Sequence, residues 1–407
     1  MLKEKLYDIL DSKKEEMIKI RRYLHQHPEP SFKEFKTAEY IKNFYAGKNI
    51  EWLKYPVGLN GIAVKIKGGA ENKSDKTLAI RGDFDALAIK EDTDFEYKSK
   101  NPEAMHACGH DAHTAVLLET ADALIQVKKD IPGDILIIHQ YAEEVPPGGA
   151  KSMVEDGVLE NVDAIIGGHV WASYETGTVA VRPGMAMAGR TYFKVIITGR
   201  GGHGSQPHKC VDPILAASHF VVALQSIVGR NIDPADSAVI TVGRFEGLGN
   251  FNAIPNSVTL EGDVRSCSDT LSQLIEKRFR EILSGITTAY GCSFDLTYTH
   301  DYPPVINDDK LAEFAKKFIE TNSIPGLKFR EGEITMGSED FSYYQQKIPG
   351  LYVFFGAKPD GEVYPHHHPK FNIDENCMIN CAKFYAGFAV DFLGNDYRHC
   401  GLDPQSP

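Results

Sequence analysis

The run His106-Ala107-Cys108-Gly109-His110-Asp111-Ala112-His113 packs three histidines, a cysteine and an aspartate into one short stretch. Imidazole, thiolate and carboxylate are the ligands of zinc and its first-row neighbours. A centre built on this cluster needs partners from elsewhere in the chain. The fold must therefore bring distant loops onto one place. An open α/β sheet does so beyond the carboxyl ends of its strands.

The rest of the chain fits that demand. Short apolar segments at Thr77–Arg81, Asp134–His139, Val162–Ile166 and Leu351–Gly356 read as buried strands, and His113 to about Lys128 reads as a helix. Strands alternating with helices predict an α/β sheet that is at least partly parallel. Leu6, Ile9, Leu10, Met17, Ile20 and Leu24 form a helical stripe at the N-terminus. The middle of the chain changes pattern. Tyr192–Thr198 reads as a strand, Pro213–Val228 as a helix, Ser237–Phe245 and Ser257–Arg265 as strands, Leu271–Ala289 as a helix and Ser293–Thr299 as a strand. That β-α-β-β-α-β order is the split order of a ferredoxin-like sandwich. It predicts a separate domain over residues 186–300, inserted into an α/β domain of residues 1–185 and 301–395. Residues 396–407 carry no pattern and read as a disordered tail.

With 407 residues there is material for about two domains. The net charge of −12 argues against a nucleic-acid binder. No apolar run approaches the roughly 20 residues that span a bilayer. The N-terminus lacks a secretory apolar segment, so a cytoplasmic protein is expected. Seven cysteines without a C-x-x-C pair fit a reducing compartment and exclude a zinc ribbon.

Metal-type residues follow the expected strands: Asp83 and Asp85 after the first, Glu143-Glu144 after the second, His169 after the third and His366-His367-His368 after the last. Each has a plainer reading alone. A Glu-Glu pair can be a solvated loop, His169 a core histidine and Cys108 an inert thiol. The triple histidine can be a surface tract, and His203 in Gly201-Gly202-His203-Gly204 can be turn chemistry. His25 and His27, before Pro28, read as structural. Convergence of four strand ends favours a metal centre. No Gly-x-Ser-x-Gly elbow follows a strand, so a serine nucleophile is not expected.

In chain order, His106-Ala107-Cys108-Gly109-His110-Asp111, Ala142-Glu143-Glu144, Gly168-His169, Gly201-Gly202-His203, Asn252-Ala253-Ile254-Pro255, Gly337-Ser338-Glu339-Asp340-Phe341 and His367-His368-Pro369 resemble the M20 metallopeptidase family in its amidohydrolase branch. The likeness runs from about His25 to Glu375. It implies a zinc-peptidase-like α/β catalytic domain with a mixed sheet, and an inserted ferredoxin-like α+β domain that acts as lid and dimerisation domain. It implies two divalent metal ions per subunit (zinc, manganese, cobalt or nickel) held by Cys108, His110, Glu144, His169 and His367. His367 is chosen because the pattern puts the ligand two residues before Pro369; His366 and His368 stay open. Glu143 matches the general acid/base, and Asp85 and Asp111 matching supporting positions. His203 would reach across a homodimer, or a dimer-based oligomer, to polarise the substrate carbonyl. Asn252 and Arg265 would hold the substrate carboxylate.

The implied activity is metal-dependent hydrolysis of N-acyl-L-amino acids, of the hippurate or N-acetyl type, by an aminoacylase- or carboxypeptidase-like enzyme. The small-molecule substrate is the expected partner, without nucleic acid or membrane. Alternatives are an N-acetyldiaminopimelate deacetylase, a dipeptidase of the same fold, and a non-catalytic metal binder. Dipeptidase branches usually carry His-x-Asp where this chain has Asp83-Phe84-Asp85. Lid hinges are expected near Gly184 and Tyr302.

Overall fold

The computed structural model describes residues 2–53, 58–321 and 324–394. The expected tail at 396–407 lies outside them. The chain divides into two compact units. Unit 1 comprises the described parts of Met1–Ala186, Ile306–Glu333 and Asp340–Pro407, and unit 2 comprises Met187–Val305 and Ile334–Glu339.

Unit 1 begins with α1 (Leu2–Ser12), α2 (Lys14–Gln26) and α3 (Phe35–Tyr45). Leu6, Leu10, Met17, Ile20 and Leu24 of the N-terminal stripe are buried, as an amphipathic stripe should be. Next come β1 (Glu51–Trp52), β2 (Ile62–Ile66), β3 (Thr77–Asp83), α4 (His110–Val127), β4 (Asp134–Gln140), α5 (Gly149–Glu155), β5 (Ala164–Trp171) and β6 (Thr178–Val181). After unit 2 the chain returns with strands Lys328–Glu331 and Gly350–Gly356 and ends its described part in the helix Cys377–Gly394. These strands form one mixed sheet in the order β1, β2, β4, β3, β5, Gly350–Gly356, β6, Lys328–Glu331. Its centre is parallel: β3 pairs in parallel with both β4 and β5, and Gly350–Gly356 with β5. The carboxyl ends of all four expected strands therefore share one edge. Strands buried on both faces read as continuous apolar runs, which is why they were visible in the sequence.

Two expected boundaries move. α4 starts at His110 rather than His113, because Gly109 takes a left-handed conformation (φ 92°) and turns the chain into the helix there. A Cβ at Gly109 would lie 2.4 Å from the Val170 side chain. β5 runs on to Trp171, so His169 sits within a strand and not after it. Gly167 and Gly168 look like a strand end in sequence, yet they are strand residues that make room for Phe341 and Phe355.

In unit 2 the strands Gly189–Thr198, Ala238–Glu246, Ser257–Ser266 and Ser293–Tyr302 form an antiparallel sheet in which Ser257–Ser266 and Gly189–Thr198 are central. The helices Pro213–Asn231 and Asp269–Tyr290 pack on it, with Phe193, Phe220 and Phe279 at the core. The split β-α-β-β-α-β order has this layout. Unit 2 runs to Val305 rather than stopping at residue 300, because the last strand continues to Tyr302. Ile334–Glu339 joins it through an Ala188 N–H to Thr335 carbonyl bond (3.1 Å). Against expectation, one helix among the described residues, Pro213–Asn231, is long and apolar enough by composition alone to cross a membrane. Its buried residues Ala216, Ala217, Phe220, Leu224 and Ile227 belong to the unit 2 core, while Ile214, Leu215 and Val222 are exposed.

His139 of β4 gives a testable signature of the unit 1 core. Burial lowers its pKa from the ordinary 6.5 to about 3, while Tyr45 Oη lies 2.8 Å from Nε2. A histidine depressed in the fold binds its proton first in the unfolded chain. Stability must then fall as pH drops from about 6.5 towards 3, by up to about 1.4 kcal/mol per pH unit for one proton. Denaturant titrations of the wild type and His139→Gln between pH 7 and pH 4 should diverge in that direction, with the variant flatter. Parallel curves would refute this assignment.

Candidate metal centre

Each strand end delivers its residues as the sheet requires. Cys108 Sγ lies 3.3 Å from His169 Nε2 and 3.7 Å from His366 Nδ1. His110 Nε2 lies 3.8 Å from Glu144 Oε1, and His367 Nε2 lies 3.3 Å from that same oxygen. Cys108, His169 and His366 thus form one group of donor atoms, Cys108, Glu144 and His367 a second, and His110, Glu143 and Glu144 a third. These groups share Cys108 and Glu144, so they make one continuous cluster. All five expected ligands and the expected acid/base Glu143 are in it.

The ring nitrogens are already sorted by their partners. Asp85 offers both its backbone carbonyl (3.0 Å) and Oδ1 (3.1 Å) to His110 Nδ1, which must then donate. His169 Nδ1 faces the Val170 carbonyl at 2.6 Å. In each ring Nε2 is turned to the cluster. His110 Nε2 and Glu144 Oε1 are buried without a hydrogen-bond partner among the described residues. Buried polar atoms are normally satisfied, and the chemistry of these two fits a cation as their shared partner. The electrostatics agree. Burial disfavours charge on His110, yet Asp83 and Asp85 outweigh it and push its pKa up to about 10. Burial, then Glu144 and Glu143, push the Cys108 thiol well above its ordinary value. Burial and neighbouring histidines hold His169 neutral, its pKa well below ordinary. A cation would relieve the crowded carboxylates and displace the thiol proton.

His113 is close by, in a further group of donor atoms with Asp83 and His110. Its two nitrogens are spent, however. Nδ1 lies 2.6 Å from Asp83 Oδ1, and Nε2 accepts from the Val170 N–H (3.0 Å). It therefore braces β3 against β5. Asp111 also faces away from the donor atoms. His25 Nδ1 (2.8 Å) and Arg21 Nε (2.9 Å) both meet its Oδ2, tying the first turn of α4 to α2. Burial alone would raise the Asp111 pKa, but Arg21 and His25 hold it well below the carboxylate range.

Backbone strain marks the same loops. Ala142, before Glu143, has φ 50°, and His367 has φ 67°. Such conformations cost free energy in a residue with a Cβ and concentrate at functional sites. Both are pinned: the Ala142 N–H donates to Glu34 (2.9 Å), and the His367 N–H to the Ala107 carbonyl (2.8 Å).

Sequence reasoning missed the support behind this edge. Arg81, fully buried, donates from Nε to Gln140 (2.8 Å), from Nη1 to Asp83 (2.5 Å) and from Nη2 to Asp340 (3.0 Å). Asp340 in turn accepts the Ala150 N–H (3.0 Å), in the first turn of α5 just after the loop that carries Glu143-Glu144. The Gly337–Phe341 motif was the available signal for Asp340. Glu34 had none.

His203, Asn252 and Arg265 lie in unit 2. His203 pairs with Ala253 across a two-stranded ribbon, and the Gly204 N–H donates to the Asn252 carbonyl (2.8 Å). Both side chains are exposed. The Ser205 N–H donates to His203 Nδ1 (3.1 Å), which places the ring proton on Nε2. Arg265 is held by Asp263 (2.6 Å) and by the Ser338 hydroxyl (3.0 Å).

Residues 79–391 match the family model described as peptidase family M20/M25/M40. The chain belongs to that family. Relatives include an IAA-amino acid hydrolase of Arabidopsis thaliana, ILR1-like 4, 38% identical over 93% of this chain and 86% of its own. The N-acyl-L-amino acid amidohydrolase of Geobacillus stearothermophilus is 40% identical over 76% of this chain and 83% of its own. Among solved structures, YxeP of Bacillus subtilis, described as a dinuclear metal binding peptidase of the M20 family, superposes with a TM-score of 0.81. It is 33% identical, covering 94% of this chain and 99% of its own. This M20 chain is a metal-dependent hydrolase of the amidohydrolase group.

Asp85 supports the cluster twice, through His110 Nδ1 (3.1 Å) and by accepting the Glu144 N–H (3.0 Å). Partners of a ligating histidine typically contribute about 10–100-fold to metal affinity. Asp85→Ala should weaken binding of a divalent metal by that order in a chelator-competition titration. An unchanged affinity would mean that neither His110 nor Glu144 depends on the Asp85 carboxylate for its place.

Proposed function

We propose that this chain hydrolyses the amide bond of N-acyl-L-amino acids, releasing a carboxylic acid and the free amino acid. The observation that carries the reading is Glu143: it belongs to the same donor group as His110 and Glu144, on the loop that follows β4. The ligands are Cys108, His110, Glu144, His169 and His367, enough donors for two divalent ions. Ions held there supply the Lewis acidity that makes water nucleophilic near neutral pH and polarises an amide carbonyl. Glu143 accepts the proton of the attacking water and delivers it to the leaving nitrogen. That delivery matters because an amine anion is a poor leaving group.

Unit 2 supplies recognition in this reading. The proton fixed on His203 Nε2 makes that atom a donor suited to the developing oxyanion. Asn252 and Arg265 take the substrate carboxylate, Arg265 through a guanidinium held in place by Asp263 and Ser338. Unit 2 then serves as lid and dimerisation domain, with His203 acting on the partner subunit's substrate and hinges near Gly184 and Tyr302. The names of the hydrolase relatives favour acylated amino acids as the substrate class.

The decisive assay uses metal-stripped protein restored with zinc, manganese, cobalt or nickel. N-acetyl, N-benzoyl and indoleacetyl amino acids and N-acetyldiaminopimelate form the panel. Free amino acid should appear only with metal. Glu143→Ala should retain its metal while kcat falls about 10²–10⁴-fold, the usual scale for a lost proton shuttle. Full activity in Glu143→Ala would remove the mechanism, and release confined to N-acetyldiaminopimelate would replace the substrate class.

A further inference from the structure

The run His366-His367-His368 puts three similar side chains next to the cluster, and they are not equivalent. His368 accepts the Lys370 N–H at Nδ1 (3.0 Å) and stacks on Tyr364, away from the donor atoms. His367 presents Nε2 to Glu144. His366 differs from both, since both of its nitrogens have a partner. The backbone N–H of Ala172 points at Nε2 (3.3 Å). A backbone amide can only donate, so Nε2 must accept and carries no proton. The neutral ring then holds its proton on Nδ1, the atom 3.7 Å from Cys108 Sγ. The ring is also clamped: it stacks on Trp171 (centroids 4.8 Å apart, planes 29°) and meets Phe371 at 4.7 Å. It has little freedom to turn a bare nitrogen towards an ion.

We infer that His366 is a positioning residue that donates an N–H···S hydrogen bond to the Cys108 thiolate, orienting the sulfur and tuning the charge it gives to the metal. This rests on Cys108 being a metal ligand, as proposed above. Hydrogen bonds to ligating atoms fix their direction and electronic character, and their loss commonly costs about 10–100-fold in metal affinity. The backbone of Cys108 is a competing acceptor for the same proton, so the test must report on the sulfur itself.

The cobalt(II)-loaded protein provides that report. A ligating thiolate gives a sulfur-to-cobalt charge-transfer band, while the ligand-field bands report the number of donors. His366→Phe keeps the aromatic packing and removes the N–H. His366→Asn restores an N–H near the position of Nδ1. The expected result is a charge-transfer band moved to longer wavelength in His366→Phe, with unchanged ligand-field bands and about tenfold weaker cobalt affinity. His366→Asn should return the band most of the way. A band identical in wild type and His366→Phe would overturn the inference and give the proton to the Cys108 backbone. A changed ligand-field pattern in His366→Phe would overturn it by making His366 a ligand. Absence of any charge-transfer band in the wild type would remove the Cys108 assignment, and this inference with it.

Discussion

Burying ionisable groups next to one another is the constraint around which unit 1 is built. Asp83, Asp85, His110, Asp111 and His113 are all buried within one edge of one sheet. An isolated charge in such surroundings costs several kcal/mol after relaxation. The chain answers most of them in pairs and triads. Arg81 neutralises Asp83 and Asp340 together, and Arg21 and His25 share Asp111. Among the described residues these partners leave two buried atoms of the cluster, His110 Nε2 and Glu144 Oε1, without a hydrogen bond.

The parallel strands make this arrangement reachable. Four carboxyl ends on one edge bring together residues that are far apart in sequence, from Asp83 to His367. Gly109 then lets the chain turn into α4 with His110 in the first helical turn. A helix start also directs backbone N–H groups outward, and here Asp111 takes up the Ala112 N–H at 2.9 Å. Two residues of one short motif therefore face different ways, His110 towards the cluster and Asp111 towards α2.

Much of this was readable in the sequence because two-sided burial writes itself as apolar runs, and metal ligands are rare residue types. The strands at 77, 134 and 351 and the cluster at 106–113 are cases of both. What escaped was geometry that many sequences can share. Gly167-Gly168 carries no mark that separates a strand interior packed against aromatic rings from a turn. Nothing local in Arg81 or Glu34 reveals that they brace loops distant in sequence. The choice among His366, His367 and His368 depends on which ring nitrogen meets the Ala172 amide, a contact set by the fold and not by residue type.

The position of unit 2 in the chain has a consequence for synthesis. β5 pairs with β3 on one side and with Gly350–Gly356 on the other. The second partner leaves the ribosome only after the whole of Met187–Val305 has been made. Until then the nascent protein presents a bare apolar strand edge, the kind of template that recruits other chains. Unit 2, whose four strands are contiguous in sequence, can meanwhile form its own sheet. The last quarter of the polypeptide therefore closes a surface that every molecule must expose first, and slow or interrupted translation in that quarter would be the protein's most vulnerable moment.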